Sequence, residues 1–538
     1  MHDRSRMGRK QNENREEMRD PKASDFCYYP FMQILLTSDG KYRPCSKHQD
    51  YVTNDGRELS VQNGDTLEDA WTSDYMQNIR QQFLENKQFE GCRECWRMQD
   101  MGLRSMRYDS YQYGTSEQQV TEPLRPTRIE INASNVCNLK CRICYPNASS
   151  KWIKEHGDLY GSNEKIYYNL SLPNLEQVKQ WGDSLEEVCF FGGEPLLSQE
   201  NMELLDHFIS TGNAGRMSIL FNTNGTVFND EITDRLRHFK LVRMYFSVDD
   251  IGQRFEYQRK GAKWDEVADN IGKAYRLSRS PEGQNIDFKI CCTVSIFNIY
   301  YFPEFFDWLG KNYPGLEIFW NLLFDPWELS VQLLPEQVKE KLKNRLRHEL
   351  RPSFEMSEEE TRTVEELIGF LNHSVNREFS GFFSYVATHD KYRKESFAST
   401  FPEMNELLLS YRPDNPEPER IAASRFLSDS KKYAAYNRFE KTRHATKEDY
   451  SSSDNLTALI DGFEELVKEF GTTKNNTDKI QWMRNHIEPN EAGSQNLVIH
   501  VNKIGLIKFY DAIAPMKLNE FVKTMVSRFS LGVKSINL

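Results

Sequence analysis

Short apolar, β-branched runs recur between Thr127 and Phe324, and each is followed by a stretch with helical spacing. The runs are RIEINAS (128–134), EVCFFGG (187–193), SILFNTNG (218–225), VRMYFSVD (242–249), FKICCTVS (288–295) and LEIFWNLLF (316–324). Between them lie segments such as DEVADNIGKAYRLSR, in which Val267, Ile271 and Tyr275 fall about one turn apart. This alternation predicts an α/β fold with parallel strands joined by crossover helices. The nearly continuous apolar character of the runs predicts a sheet covered on both faces. Six units fall short of a closed eight-stranded barrel, so the expected form is a partial (β/α)6 TIM-like barrel over 125–330. Function in such folds sits at the C-terminal strand ends. Polar residues gather there: NAS, GGE, NTNG and SVD.

The flanking patterns differ. Residues 25–105 read as a separate small α+β module. In it YYPFMQILLTSDGKYRPC predicts two strands around an Asp39-Gly40 turn, and TLEDAWTSDYMQNIRQQFLEN predicts a helix leading to GCREC. A helical extension is expected over 335–410, with a capping box of Ser357 and Glu360 and an apolar face at 364, 367, 368 and 371. Residues 411–455 read as a polar linker, and 456–538 as a small C-terminal α+β unit. The hairpin expected near Gly505 offers an edge for strand addition by a partner, or else a stabilising cap. The charged residues 1–24 lack an apolar core and are expected to be a disordered tail, not a secretory signal.

Composition narrows the function classes. The 538 residues carry a net charge of −11, so the chain as a whole shows no basic nucleic-acid footprint. One stretch, SDSKKYAAYNRFEKTRH (428–444), is locally basic with interleaved aromatics. No apolar run approaches the roughly 20 residues needed to span a bilayer. A mean hydropathy of −0.71 implies solvated segments beside the core.

Ten cysteines fit a reducing, cytoplasmic setting, and seven of them fall into two sets. Cys189, Cys291 and Cys292 lie inside apolar runs and are expected to pack as small hydrophobes. The stretch NVCNLKCRICYP places Cys137, Cys141 and Cys144 directly after the first run. Three thiolates hold three irons of a [4Fe–4S] cluster and leave the fourth open. A zinc site with a remote fourth ligand is the alternative. Cys27, Cys45, Cys92 and Cys95 make a complete set of four, suited to zinc or to a closed cluster. His48 is a further ligand type near Cys45, not needed beside four thiolates. Met98, Met101 and Met106 are expected to pack rather than ligate.

FFGGEP ends the second run, NTNGT the third and SVD the fourth. With the CxxxCxxC spacing before them, these motifs make residues 127–330 resemble the radical S-adenosylmethionine (SAM) enzymes. The resemblance implies that the open iron chelates the amino and carboxylate groups of SAM. A reductant such as flavodoxin or ferredoxin would supply an electron, and SAM would give methionine and a 5′-deoxyadenosyl radical that abstracts hydrogen from substrate. Gly192 and Gly193 would let backbone carbonyls approach the amino group, and Glu194 would add a charged acceptor. By the same resemblance Ser247 contacts the SAM carboxylate or ribose, Arg259 the carboxylate and Asn298 the ribose. Where the family commonly has an aromatic residue before the third cysteine, this chain has Ile143, with Tyr145 after Cys144.

The segment FCYYPFMQILLTSDGKYRPC…GCREC resembles the twitch or SPASM modules that carry an auxiliary iron–sulfur cluster, here ahead of the barrel. That resemblance implies an auxiliary [4Fe–4S] cluster on Cys27, Cys45, Cys92 and Cys95. FFSYVATHDKYRKESFASTFPEMNELL resembles helical segments of the same twitch-containing group. The expected activity is oxidoreductase or hydrogen-abstraction chemistry on a peptide, a protein or a small metabolite. The alternatives are RNA modification and a non-catalytic metal-binding interaction protein. No catalytic acid or base is distinguished: Asp249 and Asp325 lie near strand ends, as capping residues also do.

Overall fold

The computed structural model describes residues 25–113, 125–160, 175–350, 358–375 and 377–413, with Val120, Glu464 and Lys479. The upstream strands are β1 (Gln33–Leu36), β2 (Tyr42–Arg43), β3 (Thr53–Asn54) and β4 (Arg57–Glu58). The repeating region supplies β5 (Arg128–Asn132), β6 (Glu187–Phe191), β7 (Ser218–Thr223), β8 (Leu241–Ser247), β9 (Ile286–Val294) and β10 (Ile318–Leu322). Eight strands form one sheet in the order β10-β9-β8-β7-β6-β5-β1-β2, and β3 pairs with β4 apart from it. From β10 to β1 every neighbouring pair is parallel. The protein is therefore α/β with a mostly parallel central sheet, and helices fill the crossovers. Each of the six predicted runs forms a strand, and the polar NAS, GGE, NTNG and SVD segments lie at the C-terminal ends of β5 to β8.

The upstream segment is less separate than its sequence suggests. Strand β1 joins the main sheet beside β5, with Gln33 opposite Arg128 and Leu36 opposite Ile131. All four β1 residues are buried. β2 returns antiparallel across the Asp39-Gly40 turn, where Gly40 adopts φ +72°. A parallel neighbour can come from any distance in sequence, so the apolar run at 33–36 did not declare its partner. The long helix expected over 66–86 is two helices, Leu67–Thr72 and Asp74–Leu84. Ser73 divides them: its extended ψ of 156° ends the first, and its hydroxyl accepts the Met76 N–H to cap the second.

The two faces of the sheet are not alike. One is apolar and buried under the helices, with Ile129, Val188, Ile219 and Val242 in adjacent strands. The other carries charge at its base. Arg128 Nε donates to Glu187 at 2.6 Å and its Nη1 to Glu130 at 3.0 Å, and Arg243 bonds the second oxygen of Glu187. The base of this face is covered, as the nearly continuous apolar runs predict, but what is covered there includes charge. Buried charges persist there because each is paired and hydrogen-bonded. Cys189 sits on that face and accepts from Arg128 Nη2 at 2.9 Å, so it packs against a guanidinium. Farther along the same face Tyr245 stacks on Phe319, which is 46% exposed.

Downstream the chain is helical over Glu336–Glu349, Glu358–Asn372, Ser380–Arg393 and Pro402–Leu408. Val364, Leu367, Ile368 and Leu371 are buried, as the spacing predicts. The Ser357 capping box, the 1–24 tail, nearly all of the linker and the basic 428–444 stretch lie outside the described residues. So does the 456–538 unit, apart from Glu464 and Lys479. The chain divides into two compact units, Met1–Glu417 and Pro418–Leu538. Among the described residues no helix is long and apolar enough to cross a membrane.

Candidate functional site

The loop after β5 turns its three cysteines inward. Cys137 and Cys141 are buried and Cys144 is partly exposed. Cys144 N bonds Cys141 O at 3.0 Å in a tight turn, and the Leu139 N–H donates to Cys137 Sγ at 3.4 Å. The Cys144 thiol donates to Cys141, which brings the Cys141 thiol down to about 7; the nearby Arg259 guanidinium acts in the same sense. Burial pushes Cys137 up to about 11. Asn135 and Trp152 fasten the ends of the loop, with Asn135 Nδ2 donating to Pro146 O at 2.9 Å and Trp152 Nε1 to Cys141 O at 2.8 Å.

The GGE turn after β6 lies against this loop. Gly193 N bonds Ser134 O at 3.0 Å, and Glu194 N bonds Val136 O at 2.8 Å. A Cβ at Gly193 would stand 2.1 Å from Val136 O, and one at Gly192, where φ is +113°, 2.7 Å from Ser134 O. The two glycines thus permit a backbone approach that carries the segment before Cys137. The Glu194 carboxylate is buried and accepts from Thr223 Oγ1 (2.6 Å), Asn224 N (2.7 Å) and Leu196 N (3.1 Å). Burial raises its pKa to about 6 against those three donors. Asn224 of the NTNG turn also reaches toward the loop, its Nδ2 at 2.9 Å from Asn138 Oδ1 and 3.9 Å from Cys137 Sγ.

Across the site, Arg259 Nη2 pairs with Asp249 Oδ2 at 2.8 Å and Nη1 lies 3.9 Å from Cys141 Sγ. Its Nε is buried without a hydrogen-bond partner among the described residues. Ser247 ends β8 half-buried opposite Cys291. Asn298 is buried, donating to Asp249 O at 3.0 Å and Thr293 O at 2.8 Å and accepting Ser295 N at 2.8 Å. Its amide therefore fastens the β8 and β9 ends together. Asp249 accepts Thr293 N at 2.8 Å besides pairing with Arg259, a role beyond capping. Tyr145 hydrogen-bonds Asp325, whose carboxyl burial raises above its ordinary range.

One group of residues at this loop was missed by the sequence. Arg142, between Cys141 and Ile143, is fully buried, with its guanidinium 3.7 Å from the Tyr257 ring centroid. Its Nη2 donates to Asp390 at 2.6 Å and to Glu395 at 2.8 Å, and Tyr385 Oη donates to Arg142 O at 2.5 Å. The helix Ser380–Arg393 thus grips the cysteine loop from outside. Glu155, His389 and Arg393 add a second tie, with Arg393 Nε donating to Glu155 at 2.6 Å and Arg393 Nη2 to Lys140 O at 3.0 Å.

The second cysteine set lines one small cavity. Cys27, Cys45, Cys92 and Cys95 all line it, along with His48, Trp96 and Met106. Burial pushes the Cys27 thiol up to about 12, and burial together with neighbouring thiols raises Cys45 and Cys92. Each sulfur has a donor of its own. Tyr29 N–H and Ser110 face Cys27, Lys47 N–H faces Cys45, and Arg107 N–H and Ser105 face Cys95. His48 Nδ1 lies 3.5 Å from Cys92 Sγ. Such donors favour thiolates over thiols, which is the protonation state a metal–sulfur site requires. The set is tied to the sheet, because Ser46 N donates to Glu130 at 2.9 Å.

Residues 131–286 match the Radical SAM superfamily model. This is a radical SAM domain. Residues 27–96 match the SPASM model, an iron–sulfur cluster-binding domain, so the auxiliary module precedes the radical SAM domain in this chain. A GTP 3′,8-cyclase of Alkaliphilus metalliredigens is 26% identical over 161 residues, covering 29% of this chain and 46% of that protein. The radical SAM cyclopropyl synthase TigE of Paramaledivibacter caminithermalis is 26% identical over 144 residues, covering 25% of this chain and 29% of that protein. The match therefore spans less than half the length of either relative. Streptococcus suis SuiB bound to S-adenosylmethionine superposes with a TM-score of 0.28 at 13% identity, covering 69% of this chain and 73% of that one. The radical SAM and SPASM domains imply a [4Fe–4S] cluster with SAM and an auxiliary cluster. The residues present fit these groups. Three thiols converge in the radical SAM domain beside an unpartnered guanidinium nitrogen, and four thiols line one cavity in the SPASM domain.

Proposed function

We propose that the protein is a radical SAM enzyme that starts hydrogen-abstraction chemistry at Cys137, Cys141 and Cys144 and carries its auxiliary cluster on Cys27, Cys45, Cys92 and Cys95. The observation that supports this most directly is the meeting of the three cysteines with Arg259, whose buried Nε lacks a partner. When bound, the cluster and SAM supply an electron and a 5′-deoxyadenosyl radical. The chain's part is to hold and shield. Arg259, oriented by Asp249, presents its free Nε to an anionic group such as the SAM carboxylate, and the half-buried Ser247 offers a hydroxyl nearby. Gly192 and Gly193 bring the β6 turn close to the cysteine loop and leave their carbonyls available to an ammonium group. Glu194 adds negative charge behind them while locking the β7 turn, and Asn298 frames the ribose side by fixing the β8 and β9 ends.

The substrate class proposed is a peptide, a protein or a small metabolite, with flavodoxin or ferredoxin as the type of reductant. Tyr245 and Phe319, stacked on the face of the sheet that carries charge at its base, offer an apolar surface on the side where Ser247 ends β8. The test is 5′-deoxyadenosine release from SAM by the anaerobically reconstituted, reduced protein, with Cys141→Ala as control. Release by the wild type and not by the variant supports the enzyme reading. No release from protein with full iron content overturns it in favour of a cluster-binding protein without catalysis.

A further inference from the structure

Beside its four cysteines, the SPASM cavity is lined by a buried imidazole, that of His48. His48 is 1% exposed, and its ring is fixed on every side. Tyr75 Oη lies 2.6 Å from Nε2, and Cys92 Sγ lies 3.5 Å from Nδ1. The Tyr75 ring meets the imidazole edge-on at 5.7 Å, and Phe89 packs on it at 5.8 Å. Gly91, next to Cys92, leaves room for the ring: a Cβ there would stand 2.5 Å from His48 Cε1 and Nε2. The His48 N–H also bonds Cys45 O at 3.2 Å, which anchors the residue to a second cysteine of the set.

These contacts select one arrangement of protons. A metal-bound thiolate cannot donate, so Nδ1 must carry the hydrogen shared with Cys92. Nε2 is then the acceptor, and the Tyr75 hydroxyl donates to it. Tyr75 can do so because burial keeps its phenol protonated. Cys27, Cys45 and Cys95 face backbone N–H groups and hydroxyls, whereas Cys92 faces an imidazole that a tyrosine orients. A hydrogen bond to a cluster thiolate offsets negative charge, and the reduced cluster carries more of it than the oxidised one. Such a bond therefore raises the reduction potential.

We propose that His48, oriented by Tyr75 and seated against Gly91, is a positioning residue that donates Nδ1–H to Cys92 Sγ and holds the auxiliary cluster at a higher reduction potential. This rests on the reading that Cys27, Cys45, Cys92 and Cys95 carry that cluster. His48 is not itself a ligand, since its Nδ1 faces the sulfur and its Nε2 is occupied by Tyr75.

The test uses the full chain with Cys137→Ala, Cys141→Ala and Cys144→Ala, so that only the auxiliary cluster contributes. Iron and sulfide are counted first, and the midpoint potential is then read by electron paramagnetic resonance in a redox titration. His48→Ala is expected to shift the midpoint to a more negative value. His48→Asn, whose side-chain N–H stands near the place of Nδ1–H, is expected to restore much of it, and Tyr75→Phe to give a smaller negative shift. An unchanged midpoint in a fully loaded His48→Ala protein overturns the inference while leaving the cluster assignment intact. If His48→Ala fails to hold iron, Tyr75→Phe decides, and an unchanged midpoint there is equally fatal. Absence of any cluster from the triple-cysteine background overturns the assignment of the four cysteines and this inference with it.

Discussion

Single atoms set the tolerances of the site. Gly193 has no room for a methyl group, because Val136 O already occupies the position at 2.1 Å. Gly193→Ala should cost about 2 kcal/mol or more in stability, as overpacking does, and displace the segment before Cys137. Urea denaturation and iron content of the reconstituted protein measure both effects, and retention of full iron with unchanged stability would refute the close approach. Buried imidazoles add a pH dependence at the residue scale, His156 and His389 among them. Burial lowers both His156 and His389 to about 4. A histidine whose folded pKa lies below its unfolded value binds fewer protons when native. Its contribution is therefore complete above about pH 6.5 and is lost as pH falls toward 4, roughly 3 kcal/mol per ring at most. Glu194 and Asp250, raised by burial to about 6 and about 7, act in the opposite sense, so the test is a difference: between pH 7.5 and 4.5 the urea midpoint of His156→Gln should fall less, or rise more, than that of the wild type.

Elements far apart in the chain hold the cysteine loop in place. The loop after β5 is irregular: short turns such as Cys144 N to Cys141 O and Ser149 N to Tyr145 O fold it locally, and contacts with distant segments fix its position. Its ties run to the segment after Tyr257, where Arg142 N bonds Gln258 O at 2.8 Å, and to the helix Ser380–Arg393. Asp390 accepts from Arg142 (2.6 Å), Tyr257 Oη (2.7 Å) and Phe397 N (2.6 Å), so one carboxylate joins the loop and the helical extension. Removing it leaves the buried Arg142 with Glu395 as its remaining carboxylate. Asp390→Ala should cost about 3 kcal/mol, the scale for breaking a buried pair. It should also lower iron retention at Cys137, Cys141 and Cys144 while sparing the SPASM set. Thermal unfolding together with iron per chain tests this in the variant and again in its Cys27→Ala counterpart; equal loss at both sites would refute a local brace.

At the scale of the whole molecule, every residue assigned to the two sites lies within the unit Met1–Glu417. A chain ending at Glu417 should therefore bind the same iron per molecule as the full chain and unfold at a similar urea midpoint; loss of iron from the shortened chain would show that Pro418–Leu538 completes a site. The sequence by itself determined the parts that local spacing controls. The strands β5 to β10 follow from apolar runs a few residues long, and the helix Trp264–Ser278 from its one-turn periodicity. The three-cysteine loop was legible because all three ligands sit on one short turn. The four cysteines of the SPASM set were legible as a count, since a thiol cluster needs no particular order along the chain. Tertiary structure alone decided what depends on contacts between distant segments. β1 had no local mark of its pairing with β5, and Arg142 lies 248 residues from Asp390. His48 faces Cys92 rather than Cys45, its neighbour in sequence, because side-chain direction is set by what packs around the ring. Periodicity records which face of an element is buried. It does not record what that face meets, and here the meeting of distant segments places a guanidinium behind one set of cysteines and an imidazole beside the other.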